Sequence, residues 1–258
     1  MRYRVTWRRV VSMLLCGVML AGGVTGCGKK EASLSEEKII NYDMPAEGEK
    51  IVELNIKDYG TVKLRLFAEE CPKAVENFLG LVEQKYYDEL IFHRVVKDFV
   101  IQGGDPKGNG TGGESMWGTG FKQEISSKLC HFEGALAYAV ASDKLNNSQF
   151  YIVTGTTVTE QTFEQLKAYG KTYSDQVKQM YYEHGGQPYL DGDYTVFGQV
   201  IEGLDIAIQI ANDTETDASN KPYTAVRMST VTVEPYDGSP IRWYASDSEA
   251  AQSDEADS

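Results

Sequence analysis

The feature that most restricts this chain is a pair of alternating apolar runs joined across a tight turn. Val52, Leu54 and Ile56 alternate with polar neighbours, Asp58-Tyr59-Gly60 breaks the run, and Val62, Leu64 and Leu66 alternate again. A period of two places one face of each segment toward a core, so the stretch is read as a β-hairpin. Pro72 then suits a first helical position, and Val75, Phe78, Leu79 and Val82 follow helical spacing. Short apolar runs recur at Leu90–Val96, Phe99–Gln102, Gly134–Val140, Gln149–Thr154 and Tyr194–Val200. Leu204, Ile208 and Ala211 mark a second helix, and Val226–Val233 a last strand. Hairpin-like spacing without regular strand–helix alternation argues for an antiparallel barrel or sandwich.

One stretch, 156–187, breaks the strand rhythm. Thr162 and Gln165 read as a capping box opening a helix through Leu166 and Tyr169 to Gly170. Ser174 opens a second helix with Val177, Met180, Tyr181 and His184, ended by Gly185-Gly186. The expectation is a helical insertion between two strands. Either its apolar residues all pack on the domain, or it overhangs a groove and selects protein clients.

The ends carry a different signal. Arg2, Arg4, Arg8 and Arg9 precede an apolar run from Val10 to Val24, which Thr25-Gly26-Cys27 closes. A basic start, a short apolar run and small residues before a Cys resemble a bacterial lipoprotein signal over 1–27, with Cys27 as the lipidated residue. An uncleaved anchor helix is the alternative, and either reading puts the domain outside the cytoplasmic membrane. Residues 28–49 lack a sustained apolar period and read as a solvated tether. Residues 245–258, with five acids and no base, read as a disordered acidic tail. The domain proper is expected over 50–236.

Charge narrows the partners. The full chain has 25 basic and 38 acidic residues, a formal −13, and loss of 1–27 leaves 21 against 38, a formal −17. Such a chain repels polyphosphate, so no nucleic-acid partner is expected. Gly108, Gly110 and Gly113 match G-x-G-x-x-G, but Glu114-Ser115-Met116-Trp117-Gly118 follows where a nucleotide site needs a helix. His93, His131 and His184 accompany no Gly-x-Ser-x-Gly, and Asp213, Glu215 and Asp217 lack the glycine and closing Glu of a calcium loop. Cys71 and Cys130 stand far apart without Cys-x-x-Cys and read as buried thiols.

The informative stretch is Phe92-His93-Arg94-Val95-Val96-Lys97-Asp98-Phe99-Val100-Ile101-Gln102-Gly103-Gly104-Asp105. Pro72 to Phe78, Gly110-Thr111-Gly112-Gly113, Asn146 to Ile152, Leu190-Asp191-Gly192 and Thr195 to Val200 accompany it in order. Together these motifs resemble the cyclophilin-type peptidyl-prolyl cis-trans isomerases from about Ile51 to Val233. The resemblance implies a mainly β fold, a closed eight-stranded antiparallel barrel capped by two helices. It implies Arg94 and Gln102 as catalytic residues. Phe99, Val100, Phe150 and Leu190 would line the proline pocket, with the Ala139 backbone meeting the residue before proline. Tyr194 stands where many members have His, Tyr189 where cyclosporin-sensitive members have Trp, and Val140 where many have Asn. No metal or cofactor is implied. The expected function is isomerisation of X-Pro bonds in exported proteins by a monomer, lipid-anchored through Cys27 at the outer face of the cytoplasmic membrane. The alternative is a non-catalytic, surface-tethered binding module or holdase.

The N-terminal reading has a direct test. In fractionated cells the parent chain should partition with membranes and take up a lipid probe, and Cys27→Ser should not. Equal labelling of the two overturns the assignment of Cys27.

Overall fold

A computed structural model describes residues 38–155, 157–241 and 243. Strand β1 (Lys50–Ile56) and strand β2 (Gly60–Leu66) form the expected hairpin, in register from Ile51 opposite Arg65 to Ile56 opposite Gly60. Helix α1 (Pro72–Glu83) follows, with Pro72 in its first turn. Next come β3 (Arg94–Val96), β4 (Val100–Gly103), β5 (Phe121–Lys122), β6 (Ala135–Val140) and β7 (Leu145–Val153). The insertion supplies α2 (Glu160–Ala168) and α3 (Asp175–His184), then a single 3-10 turn at Pro188–Leu190. Strand β8 (Val196–Glu202), α4 (Leu204–Asp213) and β9 (Met228–Pro235) complete the order. None of the described helices is long and apolar enough to cross a membrane.

The strands make one nine-stranded antiparallel sheet in the order β3-β4-β7-β6-β8-β2-β1-β9, with β5 paired to β7 off this path. The expectation of a closed eight-stranded barrel is corrected here: the sheet is curled but open. Its two ends, β3 and β9, do not pair as strands. An isolated bridge between Ile91 and Arg227, with Phe92 N–H to Val226 O and Met228 N–H to Leu90 O at 2.9 Å each and Glu89 N–H to Met228 O at 2.8 Å, ties the chain ahead of β3 to the start of β9. The reason is local. Lys85 and Glu89 both take positive φ, so the chain before β3 turns instead of extending, and β3 itself is three residues long.

The core is filled from α1 and α4. Phe78 of α1 meets Tyr87, Phe150 and Phe197 with ring centroids 5.1, 5.4 and 5.2 Å away. Burying an aromatic residue of this size supplies about 1.5–3 kcal/mol, and the edge-on geometry suits ring quadrupoles. Asn77 is buried yet satisfied, donating to Tyr138 Oη and Asn147 O at 2.9 Å each and accepting from Met116 N–H at 2.8 Å. Helix α4 adds Leu204, Ala207, Ile210 and Ala211. Cys71 and Cys130 are free and buried, and burial, reinforced by Glu124 and Glu70, pushes the Cys71 thiol up to about 12.

Two local readings change. Helix α2 starts at Glu160 with Thr159 as its cap, and the Thr159 N–H donates to Thr162 Oγ1 at 3.3 Å. Thr162 is therefore the third-residue partner of the box and not its cap. Ser174 does cap α3, its hydroxyl accepting from Val177 N–H. The second change concerns the tether. Residues 1–37 and 244–258, with Cys27 and the acidic tail, lie outside the described residues, but 38–49 are described and packed. Ile39 sits in a second apolar cluster with Cys130, Phe132, Phe163, Leu166, Val177 and Tyr181. Asn41 is fully buried, bonding Cys130 O at 2.9 Å, Cys130 N–H at 3.0 Å and Gln199 Oε1 at 3.1 Å. Ile39, Ile40 and Tyr42 make no sustained apolar period, and the partners of Asn41, Cys130 and Gln199, lie 89 and 158 residues away in sequence.

Removing such a partner leaves buried backbone groups unsatisfied, at about 1–3 kcal/mol each. Asn41→Ala should therefore destabilise the domain by about 2 kcal/mol in urea denaturation. An unchanged midpoint would mean that 38–49 is a solvated tether after all.

Candidate active site

The site starts from a register. In the β3–β4 hairpin Arg94 stands opposite Gln102, Val95 opposite Ile101 and Val96 opposite Val100, around a turn at which Asp98 takes φ 57°. Directly opposed residues share a face of the sheet. Val95 and Ile101 face the core, so Arg94 and Gln102 face the other way. The Arg94 guanidinium donates to Gln102 Oε1 at 3.4 Å and lies 5.4 Å from the centre of the Phe99 ring. Gln102 donates to Gln149 Oε1 at 3.1 Å, and Gln149 donates to Gly110 O and Gly112 O at 3.1 and 2.7 Å. The guanidinium is thus oriented by an amide that is itself anchored to the glycine loop.

That loop is fixed by close backbone approach. Gly104 has φ 82°, and a Cβ there would lie 2.3 Å from Ser148 O, so only glycine fits. The buried Asp105 carboxylate accepts from Lys107, Asn109 and Gly110 N–H groups at 2.8, 3.0 and 2.6 Å. Burial works to raise its pKa, but these bonds prevail and hold it below the usual carboxylate value. Beside the loop runs a groove of about 300 Å³ that Gln102, Gln149, Ala139 and Val140 share with Gly110 to Gly113. Burial lowers the pKa of Arg94 from its ordinary value while the neighbouring Tyr194 opposes the shift. A guanidinium remains protonated near neutral pH regardless.

The remaining expected residues divide. Val100 shares a face with Gln102, two residues on. Leu190 and Tyr194 are half-buried against the core, and Tyr189 is largely exposed, its hydroxyl donating to Gln165 Oε1 at 2.7 Å. Phe150 is corrected: it is wholly buried, among Phe78, Tyr87 and Phe92, on the core side. Its neighbour Tyr151 is the residue opposite Gln102. The Tyr151 ring meets Tyr194 edge-on at 6.1 Å, and its hydroxyl is 3.0 Å from His131 Nε2. A signal for this exists in the sequence, since Gln149 and Tyr151 share strand parity while Phe150 has the other. Gln149, His131 and Asp191 also join the site; Gln149 and Asp191 fall within the ordered motifs of the sequence, while no motif includes His131.

A cyclophilin type peptidyl-prolyl cis-trans isomerase family model matches residues 51–233. The chain belongs to this family. A Staphylococcus epidermidis protein named as a peptidyl-prolyl cis-trans isomerase is 42% identical over 175 residues, covering 68% of this chain and 87% of that one. A Streptococcus pyogenes protein named as a bifunctional phosphatase/peptidyl-prolyl cis-trans isomerase is 36% identical over 219 residues, 84% of this chain, which spans 44% of that relative's length. The crystal structure of a Cryptosporidium parvum cyclophilin type isomerase, solved in the presence of the dipeptide Ala-Pro, superimposes with a TM-score of 0.56 at 33% identity, covering 71% of this chain and 98% of that chain. As a cyclophilin, this chain is a peptidyl-prolyl cis-trans isomerase, and the Arg94–Gln102 face lies within the matched span.

One further group borders this cyclophilin's cleft. His93 is buried under the glycine loop, its two ring nitrogens without a partner among the described residues. Burial lowers its pKa, Asp105 opposes that, and Arg94 and Lys221 add to it. With the fold favouring neutral imidazole, the unfolded chain binds the proton first as pH falls. Stability is then complete above about 6.5, the ordinary histidine value, and declines below it. His184 shifts in the same direction, also through burial. Between pH 7.5 and 5 the parent should lose more urea resistance than His93→Gln. Parallel losses would show that His93 does not set this pH dependence.

Proposed function

We propose that this cyclophilin twists X-Pro bonds of exported proteins, with Arg94 as the residue that favours the twisted state. The peptide barrier is about 18–20 kcal/mol because the C–N bond has partial double-bond character. Twisting removes that resonance and leaves the prolyl nitrogen a better acceptor. A guanidinium directed at this nitrogen stabilises the twisted form more than either planar form, which is what acceleration requires. Gln102 holds Arg94 from the side and bonds the substrate backbone. Phe99, Val100, Leu190 and Tyr194 receive the prolyl ring, with Tyr151 in the place expected for Phe150. The Ala139 backbone meets the residue before proline, and Tyr189 stands at the outer rim. No covalent bond forms or breaks, so no step is routed through a metal or cofactor.

The observation that carries this reading is the Arg94 guanidinium, set 5.4 Å from Phe99 and 3.4 Å from the Gln102 amide. A cation held over an apolar floor is the arrangement a prolyl amide needs. The dipeptide named with the Cryptosporidium relative is the smallest X-Pro unit and supports the same substrate class. Export, anchoring through lipid on Cys27 at the outer face of the cytoplasmic membrane, and action as a monomer without nucleic acid belong to the proposal. They rest on the basic and apolar N-terminus and the formal −17 of the chain after Cys27.

A preorganised donor of this kind is worth about 10²–10³-fold. Arg94→Ala should lower kcat/KM for an X-Pro tetrapeptide by about that factor in a protease-coupled or NMR exchange assay, with circular dichroism unchanged. A folded Arg94→Ala protein as active as its parent sinks the mechanism.

A further inference from the structure

The insertion turns most of its apolar side chains inward. Phe163, Leu166, Val177 and Tyr181 are buried with Cys130 and Phe132, while Tyr169 and Tyr182 stay exposed. Its polar groups converge on one short segment, 188–194, which carries Leu190 and Tyr194. The Lys171 ammonium donates to Tyr189 O, Asp191 O and Asp193 Oδ2, each at 2.7 Å. The Tyr173 hydroxyl donates to Pro188 O at 2.6 Å, and the Tyr181 hydroxyl to Asp191 Oδ2 at 2.5 Å. Asp191 is buried, and its other oxygen accepts from His131 N–H and lies against His131 Nδ1, both at 2.8 Å. His131 Nε2 then reaches the Tyr151 hydroxyl, beside Tyr194.

Outside the insertion the segment is held by His131 on Asp191, by Gln123 Nε2 donating to Asp193 O at 2.6 Å, and by Leu190 and Tyr194 packed on the core. It forms one 3-10 turn ahead of β8, and short turns are weakly stable alone. Its carbonyls point at a lysine from another element, where a plain connection would leave them to water. Three oxygens around one ammonium tie the middle of the turn to the residues that follow it, and a charge-assisted bond is stronger than a neutral one.

We propose that Lys171, Tyr173 and Tyr181 are positioning residues, and that the insertion is a brace that preorganises the 188–194 wall for the prolyl ring. This rests on the isomerase reading and adds to it a role for a segment that the chemistry does not use. A wall held in place before substrate arrives strengthens binding of planar and twisted forms alike, so its loss appears in KM and not in kcat. A brace acts on every substrate, whereas a client-contacting surface acts only on large ones.

The test compares the full chain with Lys171→Met and Tyr173→Phe. Each should raise KM for an X-Pro tetrapeptide by roughly three- to tenfold at nearly constant kcat. Proline-limited refolding of a whole protein should slow by a similar factor. Amide hydrogen exchange should quicken at 189–194 and stay as in the parent across β1, β2 and β9. Unchanged KM and exchange in both variants overturn the brace, as does a loss confined to the protein substrate. If Lys171→Met fails to fold, Tyr173→Phe, which removes one hydroxyl, decides between these outcomes. A parent without activity, or one matched by Arg94→Ala, overturns the isomerase mechanism instead, and the exchange measurement still decides whether the insertion holds the wall.

Discussion

Everything at the cleft depends on the register of three adjacent strands. Arg94 opposes Gln102, and Gln102 opposes Tyr151, so a guanidinium, an amide and a phenol lie in one row across the sheet. Because side chains alternate, a slip of one residue would put Ile101 in the row and turn Gln102 into the aromatic core. The cost of burying that amide beside Phe92 and Phe150 protects the register, which protects the geometry around Arg94. Packing on one face thereby sets the chemistry of the other.

The same division explains why the cleft is stiff. Its floor is a sheet whose far side is filled by Phe78 of α1, by Tyr87 and by Phe197, and its rims are loops held by polar groups. Asp105 gathers three backbone N–H groups on the glycine side. On the proline side Asp191 is gripped by His131 and Tyr181, and Lys171 by three oxygens of the wall. Each rim is thus organised by a charged group that collects dipoles of the opposite sense. Preorganisation matters here because isomerisation has no covalent intermediate to stabilise, only a twisted amide of brief lifetime.

The curled sheet does not close, and this bears on the site. The gap falls between β3 and β9, the edge that carries Arg94. Arg94 is therefore on an edge strand of three residues, held by one neighbour, β4, and by the Asn220 carbonyl that accepts from Val95 N–H at 2.9 Å. Side-chain bonds from Gln102 and the Phe99 face do the orienting that a second ladder would otherwise share.

Period-two alternation, Pro72 and the helical spacing of Val75, Phe78, Leu79 and Val82 were enough to read the hairpin, α1 and most strands from sequence, because these signals live within a few neighbouring residues. Ordered motifs around Arg94, Gly112 and Gln149 were enough to read the family and its cationic centre. Tertiary structure decided what rests on distant partners. It assigned Phe150 to the core and Tyr151 to the cleft, since parity relative to Gln102 is known only once β4 and β7 are paired. It drew 38–49 into the domain through Asn41, whose partners are Cys130 and Gln199. It left the barrel open, because closure depends on whether two strand ends meet in space. It also turned the apolar stripe of the insertion inward and its lysine toward the pocket wall. Local spacing specifies which face of an element is apolar, but which surface that face meets is settled by the packing of the whole chain.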